Sequence, residues 1–329
     1  MMEYADSAIS NSVRFWLCLT AVIPSIGCSI AILYHILSNR TRRNALNNHV
    51  VVILLVNNLI YELIDISLFL NYYRLGVVWP ASESLCLIWI YVDEALYTVS
   101  TVTVAWASIE RHMLIFHDRW YSTPKRRFLV HYLPFAILVS YIFLFHFFVI
   151  ITPPCNNTYD YTEEICGHPL CFHNNRVVGS WDTIAHDIIP TITIVICSIS
   201  LLVRVVIKNR HIRKRFQWRK HRKMAIQLLS ISYLYCVLYI PVVFIELTQL
   251  CCKSNLFSAH FQEYTRFFAY YVIFLLPFVY LVALMESSWR IKNIFPCWCR
   301  TTQTVYPTIL HTTHIAAHQP TPLESTPQN

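Results

Sequence analysis

Glycine is nearly missing from this chain, with 4 in 329 residues, and charged residues are scarce, at 13%. A soluble domain of this length carries about 25% charge, so this sequence cannot cover a water-facing surface. Apolar residues, at 56%, take the place of the missing charge, which makes a membrane protein the default. The lack of glycine and of any internal repeat speaks against a transporter built from broken, repeated spans. No re-entrant polar stretch suggests a channel filter. Neither a nucleophile set nor a metal set marks an enzyme. His211 and His221 lie in a cationic run that repels a divalent ion, and His311, His314 and His318 lie in a tail too loose to close a site. No metal and no cofactor is therefore expected. The first twelve residues hold Glu3 and Asp6 but no Lys or Arg, so no basic secretory leader is expected, and the first span serves as its own anchor.

What the chain does have is a set of apolar windows. A helix needs roughly 20 apolar residues to cross a bilayer core. Seven such windows occur, at about 14–37, 49–73, 86–117, 129–151, 182–206, 224–247 and 265–284. The expected fold is an all-α membrane protein, a seven-transmembrane helix bundle occupying 14–299. A short amphipathic eighth helix at SWRIKNIF (288–295) closes it. Residues 1–13 form an outer N-terminus and 300–329, rich in Thr, Pro and His, a disordered inner tail.

The net charge of +8 does not indicate nucleic acid, because the charge is distributed unevenly. Arg14, Arg74, Arg176, Lys253 and Arg266 are the only Lys or Arg outside 38–48, 111–131, 204–223 and 285–329. Four basic flanks on one side place those segments in the cytoplasm and the N-terminus outside. Cys86, Cys155, Cys166 and Cys171 then fall outside, where disulfides persist. The sequon at Asn156 falls there too, and glycosylation is expected. Cys297 and Cys299 follow the amphipathic piece at the membrane surface and are expected to be palmitoylated. The run 208–223 holds nine Lys or Arg and separates the fifth and sixth spans. It suits anionic inner-leaflet lipid, at about 1 kcal/mol per residue near the surface, or a cytosolic partner.

Acids inside a span are informative, because a carboxylate at the bilayer centre costs about 2.5–3.5 kcal/mol on insertion scales. Asn58, Glu62 and Asp65 recur at steps of four and three, so they share one helix face that should point into the bundle. Asp93 and Glu94 lie near the outer end of the third span, Asp182 and His186 open the fifth, and Glu246 lies one turn outward of Pro241. The outer half of the bundle reads as acidic, which suits a cationic ligand. Arg266 enters the seventh span at the level of Asp93 and offers the alternative of internal pairing.

Seven spans with Glu110-Arg111-His112 closing the third resemble the rhodopsin-like G-protein-coupled receptors, over residues 14–299. Cys86 lies 25 residues before Arg111, and Trp79 sits in the first outer loop, as in that family. Leu54, Leu55 and Asn58 are similar to its Leu-Ala-x-x-Asp. Pro190 and Pro241 stand where its fifth- and sixth-span prolines do, and Pro277-Phe278-Val279-Tyr280 matches Pro-x-x-Tyr. The departures mark a divergent orphan. Asn58 replaces an acid, Leu276 an asparagine, and Tyr239 and Tyr235 the usual tryptophan and phenylalanine.

The resemblance implies a receptor, not an enzyme, in the plasma membrane. Its partners would be an extracellular ligand, a heterotrimeric G protein and membrane lipid. Asp93 lies where amine and some peptide receptors hold a ligand cation. The expected ligand residues are Asp93, Glu94, Asp65, Tyr97, Asp182, Glu246, Arg266 and Tyr270. A biogenic amine fits less well than a basic neuropeptide. Val242 and Val243 replace the aromatics that cage an ammonium, whereas several separated acids suit an extended peptide. The expected switch and coupling residues are Glu110, Arg111, His112, Asn58, Tyr235, Tyr239, Pro241, Pro277 and Tyr280, with an outward swing of the sixth helix. The family disulfide implies Cys86 paired with a cysteine of the long outer segment. Cys171, 19 before Pro190, is preferred, with Cys155–Cys166 as a second bridge, and Cys166 remains the alternative partner of Cys86.

Overall fold

A computed structural model describes residues 9–43, 46–116, 123–153, 155–167, 171–211, 215–252 and 257–287. Seven helices among these are long and apolar enough to cross a membrane: α1 (Asn11–Leu37), α2 (Asn48–Leu75), α3 (Glu83–Leu114), α4 (Lys125–Ile151), α5 (Arg176–Arg204), α6 (Leu229–Cys251) and α7 (His260–Val282). No strand occurs among the described residues. Hydrocarbon offers no partner for backbone N–H and C=O groups, so a spanning segment satisfies them within its own helix. The protein is a multi-pass membrane protein. The eighth helix, Cys297, Cys299 and the tail lie outside the described residues.

The helices close into a ring, with α1 packed on both α2 and α7, and α6 on both α5 and α7. α3 is central and touches α2, α4, α5 and α6. Apolar side chains such as Ile23, Ile30, Leu144, Ile196, Phe244 and Val282 point outward, as a lipid-facing belt requires. One buried cluster fills the half near the disulfides, with Tyr61, Phe69, Trp89, Phe267 and Phe274. A second fills the half near the basic flanks, with Leu55, Val104, Ile231, Tyr235, Leu276 and Tyr280. Between helices in lipid, such packing contributes dispersion rather than hydrophobic transfer.

Three boundaries differ from the hydropathy reading. Helix begins at Arg176, six residues before the expected start of the fifth span, because Asn175 caps it and accepts from Val177 N and Val178 N. The run 208–223 is largely helical, since one helix continues to His211 and the next starts at Arg215. Lys and Arg are good helix formers, so hydropathy marks the depth of a helix in lipid and not its end. Ser258 caps the last helix through Phe261 N, earlier than the apolar window suggested.

The disulfide pairing corrects the preferred one. Cys86 is bonded to Cys166 and Cys155 to Cys171, with Cα–Cα distances of 5.8 and 6.1 Å. The reason lies in a compact turn. Asp160 N donates to Cys166 O at 3.0 Å, and the Asp160 carboxylate accepts from Thr162 N and Thr162 Oγ1. Val78 N donates to Tyr161 O, and Tyr72 OH to Thr162 O, which ties the turn to the end of α2 beside Cys86. Ile165, Cys166 and Gly167 all have positive φ. That reversal is uncommon for residues other than glycine, and it turns Cys166 back toward α3. Cys171 is held away, its N–H donating to Asn157 Oδ1.

Arg14 clasps this end of the bundle. It is buried, ion-paired with both Glu164 and Glu263, and lies over the rings of Tyr73 and Phe267 at 5.9 and 5.7 Å. The start of α1, the turn before α5 and the start of α7 are thereby held together. Burial pushes the Glu164 carboxyl above its ordinary value, and the Arg14 guanidinium pulls it back.

Two outcomes are expected. A non-reducing digest of the purified protein yields linked peptides containing Cys86 with Cys166 and Cys155 with Cys171. Arg14→Met lowers stability by about 2 kcal/mol, read from thermal unfolding in detergent. That is below the roughly 3–5 kcal/mol of a fully buried pair, because both carboxylates are about a third open to water.

Candidate functional site

A cavity of about 410 Å³ opens between α3, α5, α6 and α7 under the segment that links α4 to α5. Seven of the expected ligand residues line it: Asp93, Glu94, Tyr97, Asp182, Glu246, Arg266 and Tyr270. Ile165 and His173 close it from the cysteine-bonded segment. Asp93 accepts hydrogen bonds from the hydroxyls of Tyr61 and Tyr270, so its carboxylate is oriented by two donors from α2 and α7.

Asp65 is the exception. It is fully buried and off the cavity wall, where one carboxylate oxygen accepts from Trp89 Nε1 at 2.8 Å. A fixed step along α2 put it with Asn58 and Glu62. The helix does keep all three buried on one face, but their partners lie on α3, α1 and α7 and not on the cavity wall. Glu62 accepts from Ser25 of α1 and from Asn58 at 3.3 Å. Asn58 also donates to Ile273 O of α7 at 2.8 Å, and Asn57 donates to Leu96 O and Ser100 Oγ of α3.

Sequence reasoning missed Asp187, His173 and Arg176 on the same wall. Asp187 follows Asp182 by five residues, which in an α-helix turns it about 140° away. Residues Thr183–Ile188 form a π-helical turn instead, and its i to i+5 repeat brings Asp182 and Asp187 to one cavity. The lining therefore holds five carboxylates, Asp93, Glu94, Asp182, Asp187 and Glu246, against two guanidiniums, Arg176 and Arg266.

An aromatic column leads down from the floor of the cavity. Tyr97 meets Tyr239 with ring centroids 5.1 Å apart, and Tyr239 stacks on Tyr235 at 5.2 Å. Pro241 lies inside the α6 helix and Pro277 inside α7. Tyr280 is buried in the lower cluster with Tyr235. At the basic end Glu110 and Arg111 are both buried, and His112 is half-buried. Arg111 borders a small void with Val50, Val51, Leu54, Val104, Ala107 and Ile231. The Glu110 carboxylate faces His131 of α4, with Oε1 3.7 Å from Nδ1. His131 carried no sequence signal, since it lies in an ordinary basic flank.

Seven spans, a buried Glu110-Arg111 pair at the end of α3 and a cavity roofed by a cysteine-anchored segment agree with one comparison. The model of the 7 transmembrane receptor (rhodopsin family) matches residues 29–310. A search of curated proteins returned no match. That match spans most of the chain, and the protein belongs to the rhodopsin family of seven-transmembrane receptors.

Proposed function

We propose that this receptor takes a basic peptide into the acidic cavity from outside the cell and activates a heterotrimeric G protein at its basic end. The observation that carries the proposal is the excess of five carboxylates over two guanidiniums around a cavity of about 410 Å³. A cavity of that volume lies within the range of ligand sites. Carboxylates sheltered from water attract a cation more strongly than exposed ones. Their spread over α3, α5 and α6 suits several positive groups on an extended ligand. A single amine would engage Asp93 alone, between Tyr61 and Tyr270.

In this reading the ligand pulls on the Tyr97–Tyr239–Tyr235 column, and α6 pivots near Pro241, where proline removes a backbone hydrogen bond. Arg111 is then released to meet the G protein. The excess of Lys and Arg on the flanks supports an outer N-terminus, and in this reading the receptor lies in the plasma membrane. Asn156 is exposed and would carry the glycan, and Cys297 and Cys299 the palmitoyl groups. The run 208–223 would rest on anionic lipid.

Two experiments test this. With an agonist found by screening basic peptides and amines for a calcium or cyclic-nucleotide response, Asp93→Asn is expected to reduce potency at least tenfold, about 1.4 kcal/mol. Asp187→Asn and Glu246→Gln reduce it as well if the ligand is a peptide. Loss confined to Asp93→Asn identifies a small amine, and unchanged potency in all three rejects a cationic ligand. Separately, Arg111→Ala is expected to suppress agonist-dependent nucleotide exchange on a G protein while surface expression stays normal. Full exchange in that variant rejects the assigned coupling residue.

A further inference from the structure

We propose that His146, Asp182 and His186 form a zinc site that joins α4 to α5 beside the ligand cavity. All three are buried, His146 fully and the other two to more than nine-tenths. Each offers one ligand atom, and those atoms lie within 4.8 Å of one another.

His146 Nδ1 lies 2.9 Å from Ile142 O. A carbonyl only accepts, so Nδ1 carries the hydrogen and Nε2 is the atom His146 presents. That Nε2 is buried, makes no hydrogen bond and lies 3.8 Å from Asp182 Oδ1. His186 Nδ1 lies 2.6 Å from the same carboxylate oxygen. An ion held by His146 Nε2, the Asp182 carboxylate and His186 Nδ1 would take the place of the proton between His186 and Asp182, and would give the His146 nitrogen the partner it lacks. A ligating histidine commonly donates its other ring N–H to a backbone carbonyl, which fixes its tautomer, and that is the arrangement of His146 here.

The backbone converges on the same point. His146 immediately precedes one π-helical turn, Phe147–Ile151, and His186 lies inside another, Thr183–Ile188, which begins directly after Asp182. Such turns interrupt a regular helix and occur often at functional sites. Tyr141 and Phe145 pack on the His186 ring, with centroids 5.7 and 4.8 Å away, and screen the cluster from lipid.

Two imidazoles and one carboxylate suit zinc or a neighbouring transition metal. Calcium and magnesium prefer six or more oxygen ligands. Three protein ligands leave a fourth position for water or a ligand group. Asp182 also lines the cavity, which provides a route for the ion from the aqueous side. Asp187 and Glu94 nearby offset the remaining positive charge of the complex. A bound ion would draw Asp182 away from a cationic ligand and bind α4 to α5, so zinc would modulate the cavity without filling it. Sequence reading expected no metal because it weighed only the histidines of the basic run and the tail.

The test uses the full-length receptor, purified in detergent and stripped with a chelator, and needs no agonist. Zinc is titrated at buffered free concentration while bound metal and thermal unfolding are measured, and cobalt(II) is added in parallel for its visible ligand-field bands. The wild type is expected to bind one equivalent tied to α4–α5 and to unfold roughly 5 °C higher at saturation. His146→Gln, His186→Ala and Asp182→Asn each lose that equivalent and the shift. A variant with His311, His314 and His318 all changed to Ala keeps both. Asp182→Asn preserves shape and an acceptor for His186, so it separates loss of a ligand from loss of fold. The wild-type cobalt spectrum is independent of any variant. Absence of cobalt bands, or an equivalent that survives in His186→Ala and disappears with the tail histidines, overturns the site in favour of a hydrogen-bonded His–Asp–His cluster.

Discussion

Hydrocarbon cannot solvate a polar group, and the arrangement of this bundle depends on that fact. An acid or base inside a span is therefore held by polar partners, several of them on another helix. Glu62 meets Ser25 and Asn58, Asp65 meets Trp89, and Asp93 meets Tyr61 and Tyr270. Arg14 meets Glu164 and Glu263 at the disulfide end. These contacts fix α1, α2, α3 and α7 against one another in register, with side-chain chemistry that no apolar packing could supply. Dispersion between apolar surfaces is nearly as good at several rotations of a helix, whereas a buried hydrogen bond is satisfied at one.

The helices are buried unequally. In α2 and α3, 56% of the most apolar window is buried within the protein, against 22% in both α4 and α6. α6 carries Pro241 and both column tyrosines, Tyr235 and Tyr239, and in the proposed mechanism it is the wall on which a ligand at the cavity acts. The α4–α5 side is bound differently, through π-helical turns and the His146–Asp182–His186 cluster.

Much of this was legible in the chain. The seven apolar windows correspond to seven membrane-length helices, Asn58, Glu62 and Asp65 share one buried face, and the acids Asp93, Glu94, Asp182 and Glu246 line one cavity. The misses have identifiable causes. Asp187 was hidden by the assumption of a uniform helical period across Thr183–Ile188. The helix start at Arg176 was signalled by Asn175, but hydropathy does not register a cap. Cys171 was preferred over Cys166 on linear distance to Pro190, and linear distance is blind to the reversed turn at Ile165–Gly167.

The sequence by itself determined that the chain crosses a membrane seven times and that its charge separates into a basic end and an acidic end. Insertion energies and flanking charge are properties of local segments, so they are readable one window at a time. Only the tertiary structure decided which cysteines bond, that Asp65 leaves the cavity while Asp187 enters it, and that His131 faces Glu110. Those outcomes depend on the rotation of each helix about its own axis. That rotation is set by partners distant in the chain, such as Asn58 with Ile273 and Arg14 with Glu263, and no single window contains both halves of such a pair.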